Sequence, residues 1–230
     1  MSDYVGDNRW IPKGESTDEA NKLIWSTKSI NELMLALDRG YRPQVPMPFY
    51  EGKQFLRRGN IVFEYTEEEI AELAKCANDI VYFAETYAVV MTDNGIQKVK
   101  LRDYQKDLLR SFQDNRFNIV LASRQMGKTV TASIFNAWYL TFNYDKTTLL
   151  LANKSESTKE IIDKAKVVIE NLPYFMKPGI IKYDVMNVRS DNGCRLVGQS
   201  TTAKSGIGFT IHNLYLDEFA HVHPTIVDSF

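Results

Sequence analysis

The chain has 230 residues, 44% of them hydrophobic and 25% charged, with a formal net charge of −1. That length can bury a substantial core, as one large domain or one domain with an appendage, and the near-neutral charge excludes a globally basic nucleic-acid binder while leaving room for a local basic surface. The two cysteines, Cys76 and Cys194, are far apart and lack a C-x-x-C companion, which argues against a zinc site or a disulfide framework and makes a reducing cytoplasm the default. No apolar run approaches the roughly eighteen residues of a membrane span, and Met1 to Gly14 lacks a basic-then-apolar targeting signal.

In chain order, a loose stretch to Ser16 precedes helical spacing over 17–39, where Leu23, Ile30, Leu33, Met34 and Leu37 form an apolar stripe and Gly40 is a natural stop. Pro43, Pro46 and Pro48, interleaved with aromatics, mark an extended connector. Residues 1–60 therefore read as a small N-terminal helical arm or cap, and 61–230 as the main domain. Thr66 followed by Glu67, Glu68 and Glu69 supplies an N-cap with a capping-box glutamate, and Ile70, Leu73, Ala74, Ala77, Ile80, Val81 and Ala84 continue one helix from there. Its aromatic end, Tyr82 to Tyr87, reads as core packing. Leu101 to Phe112 is amphipathic and contains Tyr104-Gln105. A glutamine amide can donate to and accept from an adenine edge while the tyrosine offers an apolar face, although the same pair is common on solvated helices.

The apolar run Asn118-Ile119-Val120-Leu121 is expected to be a strand, and Val130 to Leu140 a helix. Between them stands Ala122-Ser123-Arg124-Gln125-Met126-Gly127-Lys128-Thr129. A strand, a turn of this kind and a helix make a phosphate-binding loop: backbone N–H groups point inward at phosphate oxygens, Lys128 adds a mobile positive charge, and the Thr129 hydroxyl can ligate Mg²⁺. Ala122 stands where the usual pattern opens with glycine, so a small residue is kept but the turn is strained. Thr147 to Ala152 reads as a buried strand, Ser155 to about Asn171 as a helix with Ile161, Ile162, Ala165, Val168 and Ile169 inward. Two β-like runs, Ile180 to Val188 and Cys194 to Gly198, flank an Asp191-Asn192-Gly193 turn. The Ser/Thr/Gly-rich stretch Ser200 to Thr210 could touch a polymer backbone through Lys204 or serve as a plain connector.

Leu214-Tyr215-Leu216-Asp217-Glu218 is a short apolar strand ending in two carboxylates. One carboxylate cannot both stay bound to a cation and keep a lone pair free for an attacking water. Adjacent residues on a strand point to opposite sides, which separates the roles: Asp217 for Mg²⁺, Glu218 as the base. The expected fold is α/β, a P-loop NTPase of the RecA-like (ASCE) type. It has a largely parallel central sheet, helices on both faces and the nucleotide at the C-terminal edge of the strands.

From about Lys75 to Val222 these features, in order, resemble the ATPase part of the large terminase subunit of tailed bacteriophages. The matching residues are Asp79 to Tyr87 with its Tyr-Phe and Glu-x-Tyr, the Leu-Arg-x-Tyr-Gln element, the Ser-Arg-Gln form of the loop, and Leu-Tyr-Leu-Asp-Glu-Phe-Ala-His-Val. The resemblance implies ATP hydrolysis with Mg²⁺ to drive double-stranded DNA into a prohead. Tyr104 and Gln105 would serve adenine, Ser123 to Thr129 would cradle the phosphates, and Thr129 and Asp217 would hold the metal. Glu218 would be the catalytic base, and Arg124 would swing onto the γ-phosphate as a second catalytic group. It further implies a portal protein and a small terminase subunit as partners, a homo-oligomeric ring on the prohead, no membrane, and the cytoplasm of an infected bacterium.

In that family a coupling motif and a nuclease domain follow the carboxylate strand. Neither is read in this chain, so no DNA-cutting activity is expected of it. Two other readings stand beside this one. Asp217-Glu218-Phe219-Ala220-His221 approaches the Asp-Glu-x-x-His style of helicase-like translocases, and a regulator that binds ATP without turnover would use the same loop. His221 and His223 alone make a poor metal site, because a third ligand is not evident.

Overall fold

The computed structural model describes residues 48–123, 125–201, 208 and 210–218. The helix expected over 17–39, Arg124, Lys204, His221 and His223 lie outside the described residues.

Five α-helices are described: α1 (Glu67–Asn78), α2 (Ile80–Tyr87), α3 (Asp103–Asp114), α4 (Lys128–Phe142) and α5 (Ser155–Asn171). The strands are β1 (Val89–Thr92), β2 (Gly95–Lys98), β3 (Thr147–Ala152), β4 (Ile180–Tyr183), β5 (Asn187–Ser190), β6 (Arg195–Ser200) and β7 (Asn213–Asp217). At the start of α1 the capping box forms: the Glu69 N–H donates to the Thr66 hydroxyl at 3.2 Å, and the Thr66 N–H donates to the Glu69 carboxylate at 3.0 Å. The single helix expected from Thr66 onward breaks at Asp79, whose φ of −131° is extended and whose carboxylate accepts the N–H groups of Val81 and Tyr82 at 2.9 and 3.0 Å. A short acidic side chain offers those N–H groups a partner outside the helix and restarts it. Glu72 then ties the two helices together, accepting the hydroxyls of Tyr82 at 2.9 Å and Tyr87 at 2.7 Å.

The five-stranded sheet has the order β4-β5-β6-β3-β7. Strand β3 is parallel to both β6 and β7, whereas β4, β5 and β6 run antiparallel to one another, so the sheet is mixed rather than largely parallel. The run expected as one strand, Ile180 to Val188, folds back at residues 184–186 into β4 and β5. A tight turn suffices for an antiparallel return, and none of the long crossovers that parallel strands need is required. Residues Val89 to Lys98 form a hairpin that periodicity did not reveal, although Asn94-Gly95 was a readable turn signal.

On one face of the sheet Leu150, Val188 and Leu196 pack against Ile161, Ile162 and Ala165 of α5 and Ala132 and Ile134 of α4. Helix α5 approaches so closely that a Cβ on Gly198 would lie 2.5 Å from the Thr158 methyl and 2.7 Å from Ile162 Cδ1. Helices α2 and α3 pack in turn on α4. The opposite face carries Leu149, Leu151 and Val197 with Ile211 and Leu216, and the described helices thus cover one face instead of both.

The expected strand over Asn118 to Leu121 pairs with nothing among the described residues. Ile119 is 94% exposed and Leu121 95% exposed. An apolar run marks a tendency to be buried, but a strand exists only where a neighbour completes its ladder, and β7 bonds only to β3 among the described strands.

Segment 48–65 is fastened to the end of α5 by Lys177, 7% exposed, whose ammonium donates to the carbonyls of Phe55 (2.8 Å) and Glu170. Burial pushes its pKa down to about 8, against a smaller upward pull from Glu170. The charged form is therefore penalised in the fold. Below pH 8 both folded and unfolded chains carry the proton and the penalty is fully present. Between about 8 and the free-lysine value of about 10.4 the unfolded chain binds more protons, so stability from this group rises with pH. Urea unfolding of the wild type should gain on Lys177→Met by up to about 1.4 kcal/mol per pH unit in that window. Parallel pH profiles for the two proteins would contradict it.

Candidate nucleotide site

The loop before α4 is twisted twice into the left-handed region, at Gln125 (φ +61°) and at Gly127 (φ +74°). For Gln125 that conformation costs about 1–2 kcal/mol. Alternation of this kind curls successive N–H groups toward a common centre, and α4 begins without any side-chain cap, leaving its first donors for a ligand. The Lys128 ammonium donates to the Ala122 carbonyl at 3.0 Å, folded onto its own loop. The Thr129 hydroxyl makes no hydrogen bond to any described residue. Ser123 and Gln125 are exposed.

Tyr104 and Gln105, on the first turn of α3, both reach this loop. The Tyr104 hydroxyl donates to the Met126 carbonyl at 2.7 Å. Gln105, 8% exposed, accepts the Arg102 N–H at 3.0 Å and donates through Nε2 to the Thr131 hydroxyl at 3.3 Å, while Thr131 donates to the Gly127 carbonyl at 3.1 Å. Between α3 and the loop lies a cleft of about 500 Å³ with apolar walls from Tyr104, Leu108, Leu121 and Met126 and polar ends at Ser123 and Lys128. The size is that of a small-ligand site. Asp107, Leu108 and Ser111 also line it, and sequence reasoning missed them. Their spacing from Tyr104 along one helix face was the available signal.

Asp217 ends β7 opposite Ala152 of β3, on the helix-covered side of the sheet with Tyr215. Burial raises its pKa, and the neighbouring carboxylate of Glu218 raises it further, whereas the Lys128 ammonium pulls it back down. That pull means the charge of the loop lysine is felt at the strand end. Glu218 is exposed and stands past the strand in the left-handed region, with φ +49°. Its separation from Asp217 comes from this backbone turn rather than from the pleat of a continuing strand. A non-glycine residue held there is strained, as residues at functional sites often are.

Neither thiol offers an alternative chemistry. Both cysteines are free and buried, and burial, reinforced by Glu72, pushes Cys76 up to about 12. Among the described residues no group of three or more His, Cys, Asp or Glu side chains could hold a metal, and no helix is long and apolar enough to cross a membrane.

Residues 119–227 match the family model for the terminase large subunit, T4-like virus type, N-terminal part. Over that stretch the chain is similar to the large terminase subunit family. The match implies a role in phage DNA packaging. The terminase match spans the loop, α4, α5 and both carboxylates, and begins after α3, so Tyr104 and Gln105 fall outside it.

A Cβ on Gly127 would meet Gln105 Nε2 at 2.6 Å. Since that amide is hydrogen-bonded at both ends, it cannot swing away cheaply. Gly127→Ala should therefore cost about 1–2 kcal/mol for backbone handedness plus a further increment for the collision. In a Gln105→Ala background the increment should vanish, giving a double-mutant coupling of roughly 0.5 kcal/mol or more by urea unfolding. Strictly additive losses would refute the contact.

Proposed function

We propose that the chain binds ATP between the 122–129 loop, α3 and the end of β7, and hydrolyses it to drive double-stranded DNA into a prohead. What supports this reading is the loop itself: left-handed turns at Gln125 and Gly127 lead into an α4 without a side-chain cap, beside a cleft walled by Tyr104, Leu108 and Met126 and ending at Lys128. On ATP binding, Lys128 exchanges the Ala122 carbonyl for phosphate oxygens, joined by the N–H groups of Ser123 to Thr129 and the start of α4. The adenine enters the cleft beside Tyr104 and Gln105, whose hydrogen bonds already hold the loop.

Thr129 and Asp217 would hold Mg²⁺. What supports the fit is the donor set: a hydroxyl on the first turn of α4 without a hydrogen bond to any described residue, and a carboxylate that burial and a like-charged neighbour destabilise and a cation would relieve. When bound, the ion neutralises charge on the β- and γ-phosphates. Glu218, exposed beyond the strand, orients the attacking water and takes its proton as the γ-phosphate bond breaks in line. Arg124 neutralises charge on the departing phosphoryl group. The portal protein, a small terminase subunit and further copies of the chain in a ring complete the assembly.

Glu218→Gln should keep ATP binding and lower turnover by about 10²- to 10⁴-fold, the usual contribution of a general base. Lys128→Ala should lose ATP binding itself. Phosphate release and nucleotide-binding measurements on the full chain, with and without duplex DNA, check both. Turnover that survives Glu218→Gln would overturn the assignment of the base.

A further inference from the structure

The register of the antiparallel strands sets Lys182 of β4 directly opposite Arg189 of β5, and Arg189 directly opposite Arg195 of β6. Directly paired residues share a face, so three cations stand in one cross-strand row, and Thr147 of β3 continues it as the partner of Arg195. The row is on the face away from α4 and α5, because the alternate positions Tyr183, Val188 and Leu196 pack into the helix-covered core. Lys182 and Arg189 are exposed and Arg195 is half-buried. Like charges placed opposite one another destabilise a sheet. A lysine on the edge strand β4 can be explained as protection against edge-to-edge pairing. That explanation does not reach Arg189, which lies inside the sheet on β5.

We propose that this row, Lys182-Arg189-Arg195, is a contact surface for the phosphate backbone of duplex DNA. The proposal deepens the packaging reading above by naming where the polymer is touched. With strands about 4.8 Å apart the row spans about 10 Å, long enough for flexible side chains to reach successive phosphates of one strand. Among the described residues the ion-pair partner of Lys182 is Asp184 at 2.8 Å, an exposed pair that exchanges readily for another anion. Arg189 has no carboxylate within ion-pair distance among the described residues. No aromatic side chain stands in the row or beside it at Asn187 and Val197, so base stacking of the kind single strands use is absent from this patch, and backbone contact remains. The row lies at the start of β3 and β6, whereas Asp217 pairs with Ala152 at the far end of β3. The separation is roughly 17 Å along the strand, so DNA on the row and a nucleotide at the loop do not compete for space.

The test is duplex binding by the full chain, followed by fluorescence anisotropy across a salt series without nucleotide. Each cation that contacts a phosphate contributes about 0.9 to the slope of log affinity against log salt. Arg189→Ala should weaken binding several-fold and lower the slope by about that amount, and adding Lys182→Ala should lower it again. Arg189→Lys should restore the slope, which a loss of folding would not allow. Lys164→Ala, on α5 behind the sheet, should leave it unchanged. Basal ATP turnover should be the same in Arg189→Ala. An unchanged slope in Arg189→Ala, an equal loss in Lys164→Ala, or binding of polyglutamate without binding of the duplex would each overturn the proposal. Because nucleotide is omitted, a chain that binds DNA through the row yet never hydrolyses ATP would sink the enzymatic reading alone.

Discussion

The site is hinged on one buried side-chain amide, that of Gln105. Its oxygen closes the first turn of α3 and its nitrogen bonds Thr131 on α4, while Thr131 is itself bonded to Gly127, the residue that turns the loop into the helix. Helix start, loop and helix start are thus joined through two side chains. A buried network of this kind is worth most when every member is satisfied, because an amide left without one partner would carry the full cost of its desolvation. Tyr104, one residue earlier, grips the Met126 carbonyl from the exposed side. Together the pair sets the width of the cleft, and any ligand that enters it meets walls already in place.

The opposite wall depends on β3. This strand carries parallel neighbours on both sides, and the ladder is extended past the regular strands: the Thr201 N–H donates to Ala152, the His212 N–H donates to Thr147, and the Thr147 N–H donates back to His212 Nδ1. These bonds fix the register in which Asp217 falls opposite Ala152. A slip of one residue would turn Asp217 to the other face and bring Leu216 or Glu218 opposite Ala152. Strand β7 has no second described neighbour, so its register rests on β3 and these end contacts alone.

The legible parts were those decided by local periodicity. Helices α3, α4 and α5 and strand β3 stand within a few residues of where apolar spacing places them, and the capping box at Thr66 forms as its residues require. What failed depended on partners distant in the chain. Ile119 and Leu121 look as buried in sequence as Leu149 and Leu151, but only the latter pair has strands on both sides. The break at Asp79 was hidden because α1 and α2 turn apolar faces to one core, so hydrophobic spacing runs straight through it. In the candidate site, residue type was enough to propose the loop and the two acids. That Tyr104 and Gln105 hold the loop was not, since a hydroxyl reaching Met126 and an amide wedged beside Gly127 arise only when two helices meet.

Composition conceals the distribution of charge in the same way. A net charge of −1 averages over a sheet that gathers carboxylates at one end of β3 and cations at the other. At the acidic end, Asp217 and Glu218 repel one another, and Lys128 offsets part of that repulsion while its own ammonium rests on the Ala122 carbonyl. A triphosphate arriving there would draw Lys128 away from that carbonyl, and the two acids would be left to a divalent cation. The loop, then, is built around charges that balance one another only partly, and under the proposed reading an anion accompanied by a metal would complete that balance.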